Sequence, residues 1–307
     1  MIVAAGLTPA WQQILVFDRL DLGEVNRARE AHWCASGKVL NVGVALGHLG
    51  ADSQTVALAG GPPREAIERE LTSLGIRHFL VTSHWSTRVC TTLLDRATGR
   101  TTELVENAGP VTAEELQEFT SVFSRVCIDA DVVVLTGSLP AGAPETFYRD
   151  LLGRVSCRTM LDVRGPELLA ALPWRPFLVK PNREELAQTV GRPLSGDSEL
   201  LAAMREINDQ GAAWVVVSDG RKILRAYGEG RAYRLQPLAL ETVNPIGCGD
   251  CLAAGIAWGL SLGRAPLDAL RLGIAAAAEN AGELLPARLD PQRVQEMAEQ
   301  VRIEEAF

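Results

Sequence analysis

The sequence predicts an α/β domain in which a mostly parallel sheet is covered by helices on both faces, with a second, smaller sheet beside it. Three observations carry this. Apolar, β-rich runs at residues 55–59, 132–136, 159–163, 177–180 and 214–218 each lie beside an amphipathic, helix-spaced segment. Continuous apolar runs of that length suit strands buried on both faces, as in a parallel sheet between two helix layers. Thr-rich runs at 90–94 and 101–105 instead flank Arg96-Ala97-Thr98-Gly99 with no helix between them, a hairpin outside the alternating pattern. Finally, 307 residues at 47% hydrophobic and 22% charged can bury a sizeable core. No apolar run approaches the ~18 residues needed to span a bilayer.

Taken in order, residues Met1 to Ala5 carry no basic region and run straight toward Thr8-Pro9, so they read as a first strand and not a signal peptide. A cytoplasmic location is the expectation. Runs 14–17 and 31–34 are short strand candidates that join the hairpin in the small sheet. Such a sheet with one uncovered apolar face needs a partner, either a substrate or a second subunit.

Ser36-Gly37-Lys38-Val39-Leu40-Asn41 opens a helix-like run that ends at Gly50. Lys38 offers a point charge suited to phosphate, and Asn41 a donor and an acceptor suited to sugar hydroxyls. A capped helix with a solvated lysine is the structural alternative. Thr112 and Glu115 have capping-box spacing, and Pro144 suits a first helical turn. Thr136-Gly137-Ser138 follows an apolar strand, so Ser138 stands at a carboxyl end, where open α/β sheets gather ligands.

Lys180-Pro181-Asn182-Arg183-Glu184-Glu185 also follows a strand. Asn182 and Glu185 can be an N-cap and its reciprocal partner, worth about 1 kcal/mol. The same spacing lets their oxygens order waters around a magnesium ion. Ser218-Asp219-Gly220 closes another buried strand, so three polar strand ends point to one cleft.

Gly247-Cys248-Gly249-Asp250 precedes an apolar run, 252–260, and supplies the fourth wall. Backbone N–H groups at a helix start lack intrahelical partners and face the positive end of the helix dipole, so an anion can sit there. Asp250 would repel that anion unless it takes a proton from an attacking hydroxyl or reaches a metal ion. An ordinary helix start with a favourable acidic residue explains the fragment equally well. Asp290 and Pro291 read as the cap and first turn of a last helix.

A net charge of −8 without a Lys/Arg cluster argues against a nucleic-acid surface. The six cysteines have no framework spacing, as expected for free thiols in a reducing compartment. Cys248 and Cys251 form a C-x-x-C, but no second pair lies near it. The four histidines show no metal-ligand spacing.

As an ordered set these pieces resemble the phosphofructokinase B (PfkB) carbohydrate kinases of the ribokinase-like superfamily, nearest the branch of 1-phosphofructokinase and tagatose-6-phosphate kinase. The matching segments are 22–27 (Leu-Gly-Glu-Val-Asn-Arg), 36–41, 137–140 (Gly-Ser-Leu-Pro), 180–185 and 243–250 (Val-Asn-Pro-Ile-Gly-Cys-Gly-Asp). Each alone is weak; five in order are strong.

The resemblance implies a single ribokinase-like three-layer α/β/α domain over 1–307, with lid strands inserted at about 10–36 and 86–108. It implies transfer of the γ-phosphoryl group of ATP, with Mg2+, to a sugar hydroxyl. Asp250 would be the base, with the N–H groups of Gly247, Cys248 and Gly249 stabilising the transferring phosphoryl. Gln12, Gly37, Lys38, Asn41, Arg88 and Ser138 fall on the sugar or sugar-phosphate side. Lys180, Asn182, Glu185, Ser218, Gly220 and Asn280 fall on the nucleotide side, with Asn182 and Glu185 reaching magnesium through water. The lid would cover the sugar and form a homodimer interface.

The chain also departs from the pattern. Gly-Gly-Lys-Gly appears as Ser36-Gly37-Lys38-Val39, which implies less space near the sugar. The usual acidic residue is Gln12, a common glycine is Ile223, and the usual small residue of Gly-Ala-Gly-Asp is Cys248. Three readings follow: a kinase of fructose 1-phosphate or a related ketose phosphate; a kinase of an unphosphorylated sugar or nucleoside; and a regulator that binds sugar or nucleotide without turnover.

Overall fold

The computed structural model describes residues 1–238 and 240–306. Among these, ten strands form the main sheet in the order Ile303–Ala306, Arg231–Leu235, Leu224–Gly228, Trp214–Val217, Leu178–Val179, Arg158–Asp162, Val132–Thr136, Ile2–Gly6, Ser53–Ala59 and His78–Thr82. Neighbours run parallel from Trp214–Val217 to His78–Thr82. The three strands beyond Trp214–Val217 are antiparallel.

Alternation along the central strands explains the two helix layers. Ile2, Ala4, Val132 and Val134 face one core, while Val3, Ala5, Val133 and Leu135 face the other. The first core packs beneath helices Lys38–His48, Cys248–Ser261 and Pro266–Ala281; the second receives Phe119 and Phe123 of Ala113–Val126 and Ile207 of Asp197–Asp209. Each fully buried aromatic there contributes on the order of 3 kcal/mol. No described helix is long and apolar enough to cross a membrane.

The antiparallel edge was not foreseen from the sequence, because Arg225, Tyr227, Arg231 and Arg234 break up its apolar pattern. Its signal was the two-residue turn Glu229-Gly230, whose φ values of 53 and 76 give the doubly positive geometry that tight hairpins use. Pro144 is a correction. The helix begins at Phe147, and Pro144 lies in the preceding turn, where its carbonyl accepts from Phe147 N–H at 2.9 Å. The boxes at Thr112/Glu115 and the cap at Asp290 form as read.

The small sheet has the order Glu30–Ser36, Ala10–Phe17, Arg88–Asp95 and Arg100–Val105. Its hairpin turn is held by Asp95, whose carboxylate accepts from Ala97 N–H and from Thr98 Oγ1. One face carries Ile14, Val16, Cys34 and Leu94 against Leu284 and Leu285. The opposite face leaves Trp33 and Leu104 44% and 55% exposed, with Trp11 stacked on Trp33 at 5.9 Å. That is the uncovered apolar face inferred from the sequence.

Candidate active site

All the parallel strands end at one edge of the sheet, and two cavities open along it. One, of about 430 Å³, is lined by Thr8, Lys38, Arg88, Ser138, Asp162 and Glu185. The other, of about 750 Å³, is lined by Ser218, Gly220, Cys248, Gly249, Ala277 and Ala281, and by Thr101 of the small sheet. A further cavity of about 740 Å³ opens at the opposite strand ends, around Arg158 and Ala213, away from the glycine loop.

Gly247 caps the helix Cys248–Ser261 with φ 84, and a Cβ there would lie 3.0 Å from Pro286 Cβ. Only glycine takes that conformation without strain in so little space. Cys248 N–H is not free as the sequence reading assumed, because it donates to Pro245 O at 3.3 Å. Among the described residues the N–H groups of Gly247, Gly249 and Asp250 find no acceptor. These are the donors an anion would meet.

Asp250, 7% exposed, occupies the first helical turn, and its Oδ2 accepts from Asn41 Nδ2 at 2.7 Å. Burial and the neighbouring Asp162 push its carboxyl up to about 6, against the pull of Lys38, Asn41 and Lys180. A buried carboxylate raised toward neutrality beside unpaired N–H groups suits a general base next to an anion site.

Asp162 is the principal site residue that sequence reasoning missed. It ends the strand Arg158–Asp162, is 2% exposed, and lies 3.2 Å from both Lys38 Nζ and Lys180 Nζ. Burial works against its charge, but the two lysines outweigh it and hold the carboxyl below its ordinary value. Its signal was a carboxylate closing the buried run Thr159-Met160-Leu161. Lys180 also approaches the glycine loop, since a Cβ on Gly249 would lie 3.7 Å from its Nζ. Asp162 lines the smaller cavity, and Lys180 stands between it and the glycine loop that lines the larger one.

Lys38 is held between carboxylates, with Glu185 Oε1 at 3.3 Å on its other side. Burial alone would depress its ammonium, yet Asp162, Glu185 and Asp250 together raise it. Arg88 is committed too. Its guanidinium donates to the carbonyls of Thr8, Pro9 and Glu106 at 3.1, 3.4 and 3.4 Å, clamping the ends of three strands of the small sheet.

Asn182 and Glu185 form the reciprocal cap: Asn182 Oδ1 accepts from Glu185 N at 2.8 Å and Glu185 Oε2 from Asn182 N at 2.9 Å. Glu185 retains lone pairs on both oxygens and lines the smaller cavity, so a hydrated hard cation fits beside it through water. Among the described residues no cluster of three or more His, Cys, Asp or Glu could hold a metal by itself.

Three placements differ from the sequence reading. Gln12 is 2% exposed and donates from Nε2 to Thr92 Oγ1 at 2.8 Å, inside the small sheet. Val39 lies in the core, 3.1 Å from where a Cβ on Gly6 would stand, because its position on the helix turns it toward the sheet. Neither Val39 nor Ser36 narrows the cavity. Asn280 is fully buried beneath the glycine loop, donating to Ile246 O at 2.9 Å and Cys248 Sγ at 3.3 Å, and accepting from Ala287 N and Cys251 Sγ. Ala277, Ala278 and Ala281 of the same helix line the larger cavity in its place. Those bonds also absorb both thiols of the C-x-x-C.

Ser138, Ser218 and Gly220 line the cavities, while Gly37 caps the helix Lys38–His48. Gly37 has φ 83, and a Cβ there would come within 2.9 Å of Thr8 O and Ala10 N. Ser138 is exposed in the smaller cavity. Ser218 bridges to Asn182, and Gly220 has φ 59 at the mouth of the larger one.

A family model described as pfkB family carbohydrate kinase matches residues 2–291. Among solved structures, phosphofructokinase-2 from Escherichia coli in complex with fructose-6-phosphate is 23% identical, with 98% of this chain and 99% of that chain covered and a TM-score of 0.87. The tetrameric inhibited form of the same enzyme is 22% identical, over 97% and 98% of the two chains, with a TM-score of 0.88. A protein from Thermotoga maritima described as a possible 1-phosphofructokinase is 19% identical over 100% of both chains, with a TM-score of 0.91. The likenesses to these structures establish a shared ribokinase-like fold.

Proposed function

The chain belongs to the pfkB family of carbohydrate kinases, and from that premise we propose that it transfers the γ-phosphoryl group of ATP to a hydroxyl of a phosphosugar, fructose 1-phosphate or a related ketose phosphate. The observation that carries this is Asp250, buried, held by Asn41, and in the same first helical turn as the unpaired N–H groups of Gly247 and Gly249. The acceptor hydroxyl gives its proton to Asp250 as its oxygen bonds to phosphorus, and the bond to the bridging oxygen of ADP breaks. The loop N–H groups and Lys180 meet charge on the transferring phosphoryl, which supports a reaction whose barrier falls through positioning and electrostatics. Nucleotide belongs in the larger cavity and sugar in the smaller. Glu185 and Asn182 would hold magnesium through water, and the ion would supply charge neutralisation for the phosphates.

The commitment of Lys38 to two carboxylates and of Arg88 to three carbonyls favours a second reading, in which the sugar or nucleoside is unphosphorylated. Lys38→Met with Arg88→Met separates the two. For a phosphosugar substrate KM rises at least about tenfold while a neutral sugar is little affected; equal small effects on every sugar sink the phosphosugar assignment. The regulator reading has lost part of its motivation, since Val39 lies in the core.

We also place the enzyme in the cytoplasm, which its six free thiols support. The exposed lid face of Trp33 and Leu104 supports a homodimer through that sheet.

A further inference from the structure

We propose that Ser36 and Asn41 are a positioning pair for Asp250, the Ser36 hydroxyl fixing the Asn41 amide and that amide aiming the carboxylate at the acceptor hydroxyl. The inference rests on the kinase reading above and deepens it, since Asn41 was expected only to touch sugar and Ser36 only to narrow the pocket.

The pair is assembled from separate elements. Ser36 ends the lid strand Glu30–Ser36, Asn41 lies in the helix Lys38–His48, and Asp250 in the helix Cys248–Ser261. Ser36 Oγ donates to Asn41 Oδ1 at 3.1 Å, and Asn41 Nδ2 donates to Asp250 Oδ2 at 2.7 Å. Ser36 and Asn41 are only 2% and 3% exposed, so neither bond competes freely with water. The amide also lies against the glycine loop, 3.5 Å from where a Cβ on Gly247 would stand.

Orientation follows from these contacts. An Asn41 amide turned the other way would set its oxygen against the Asp250 carboxylate, so the carboxylate selects the N–H side and Ser36 satisfies the oxygen left over. A hydroxyl donating into the amide oxygen polarises the amide and strengthens its N–H as a donor. With Oδ2 occupied, Oδ1 is the oxygen left to receive a proton. A neutral donor steadies the charged carboxylate without cancelling it, unlike a lysine in direct contact. The other groups acting on Asp250 are Asp162 at the end of its strand, Lys38 on the same helix as Asn41, and Lys180 beside the glycine loop. Ser36 pairs with Ala10 in the lid sheet, so the pair also ties the lid root to the base.

Ser36→Ala and Asn41→Ala test this through the acid limb of kcat/KM and through an ionisation readout that needs no substrate. The second readout is the difference in unfolding free energy between each variant and its Asp250→Asn derivative at a series of pH values, which follows the Asp250 carboxyl alone. The pair predicts that both substitutions move both titrations upward by about 0.5–1 pH unit. It also predicts that kcat falls about 10–100-fold for Asn41→Ala and a few-fold for Ser36→Ala, with KM for ATP unchanged. Should Asn41→Ala not fold, Asn41→Ser and Ser36→Ala carry the same prediction. Titrations that stay in place while turnover persists overturn the pair and leave the kinase reading standing. A stability titration that moves upward while no sugar is turned over supports the pair and removes the kinase reading.

Discussion

Replacing Asp250 by Asn should abolish turnover and make the protein more stable at neutral pH. Asp250 is buried in the first turn of its helix with Asp162 nearby, and its carboxyl is raised from an ordinary 3.8 to about 6. A group whose folded value lies above its unfolded value binds its proton more tightly in the native state, so stability falls as pH rises between the two values. The full displacement corresponds to about 3 kcal/mol at pH 8, an upper bound because the site relaxes. An Asn at this position carries no charge, and its Oδ1 can still accept the bond from Asn41 Nδ2. Asp250→Asn should therefore gain about 1–3 kcal/mol at pH 8, about half of that at pH 5, and little at pH 4, where wild type is itself protonated. In a chain of this size that is a Tm rise of about 2–6 °C at pH 8. Urea unfolding at pH 5 and pH 8, run beside thermal melts, reads it directly. A difference that is independent of pH, or that grows toward acid, refutes the picture of a destabilised, functionally retained carboxylate.

The same ionisation sets the rate profile: kcat/KM should fall tenfold per pH unit below about 6, as Asp250 takes up its proton, and a flat profile down to pH 4.5 excludes Asp250 as base. Lys180→Met leaves the buried Asp162 with Lys38 alone, so a loss of about 2–4 kcal/mol in unfolding free energy is expected, together with loss of turnover. Gly247→Ala forces a side chain into φ 84 against Pro286, costing about 1–2 kcal/mol, and should lower kcat much more than it raises KM for ATP. Trp33→Glu on the exposed face of the small sheet should convert the proposed dimer to monomers in sedimentation velocity; unchanged sedimentation places the interface elsewhere.

Periodicity made the central sheet legible, because Val132 to Leu135 must be apolar on both faces to sit between two helix layers. The antiparallel edge was hidden for the complementary reason. Its strands face solvent on one side, so arginines interrupt the pattern that marks a buried strand. Within the site, Gly247, Gly249 and Asp250 could be read because helix starts and glycine loops leave local signals. Asp162 could not, since its importance lies in Lys38 and Lys180 converging on it from 124 residues before and 18 after. Val39 and Gln12 show the opposite failure. Departures from a motif suggested a remodelled sugar pocket, but helix phase and strand alternation turned Val39 into the core and Gln12 into the small sheet. A motif states which residues are near one another, while the phase of the element decides which way each one faces.

The central claim is phosphoryl transfer to a sugar phosphate with Asp250 as the base. ADP release from ATP and magnesium, followed across fructose 1-phosphate, fructose 6-phosphate, tagatose 6-phosphate, free fructose, ribose and adenosine with Asp250→Asn alongside, tests it most directly. The account predicts turnover with a ketose phosphate, fructose 1-phosphate foremost, and none in the variant. Turnover confined to free sugars or adenosine, or turnover that survives in Asp250→Asn, contradicts it.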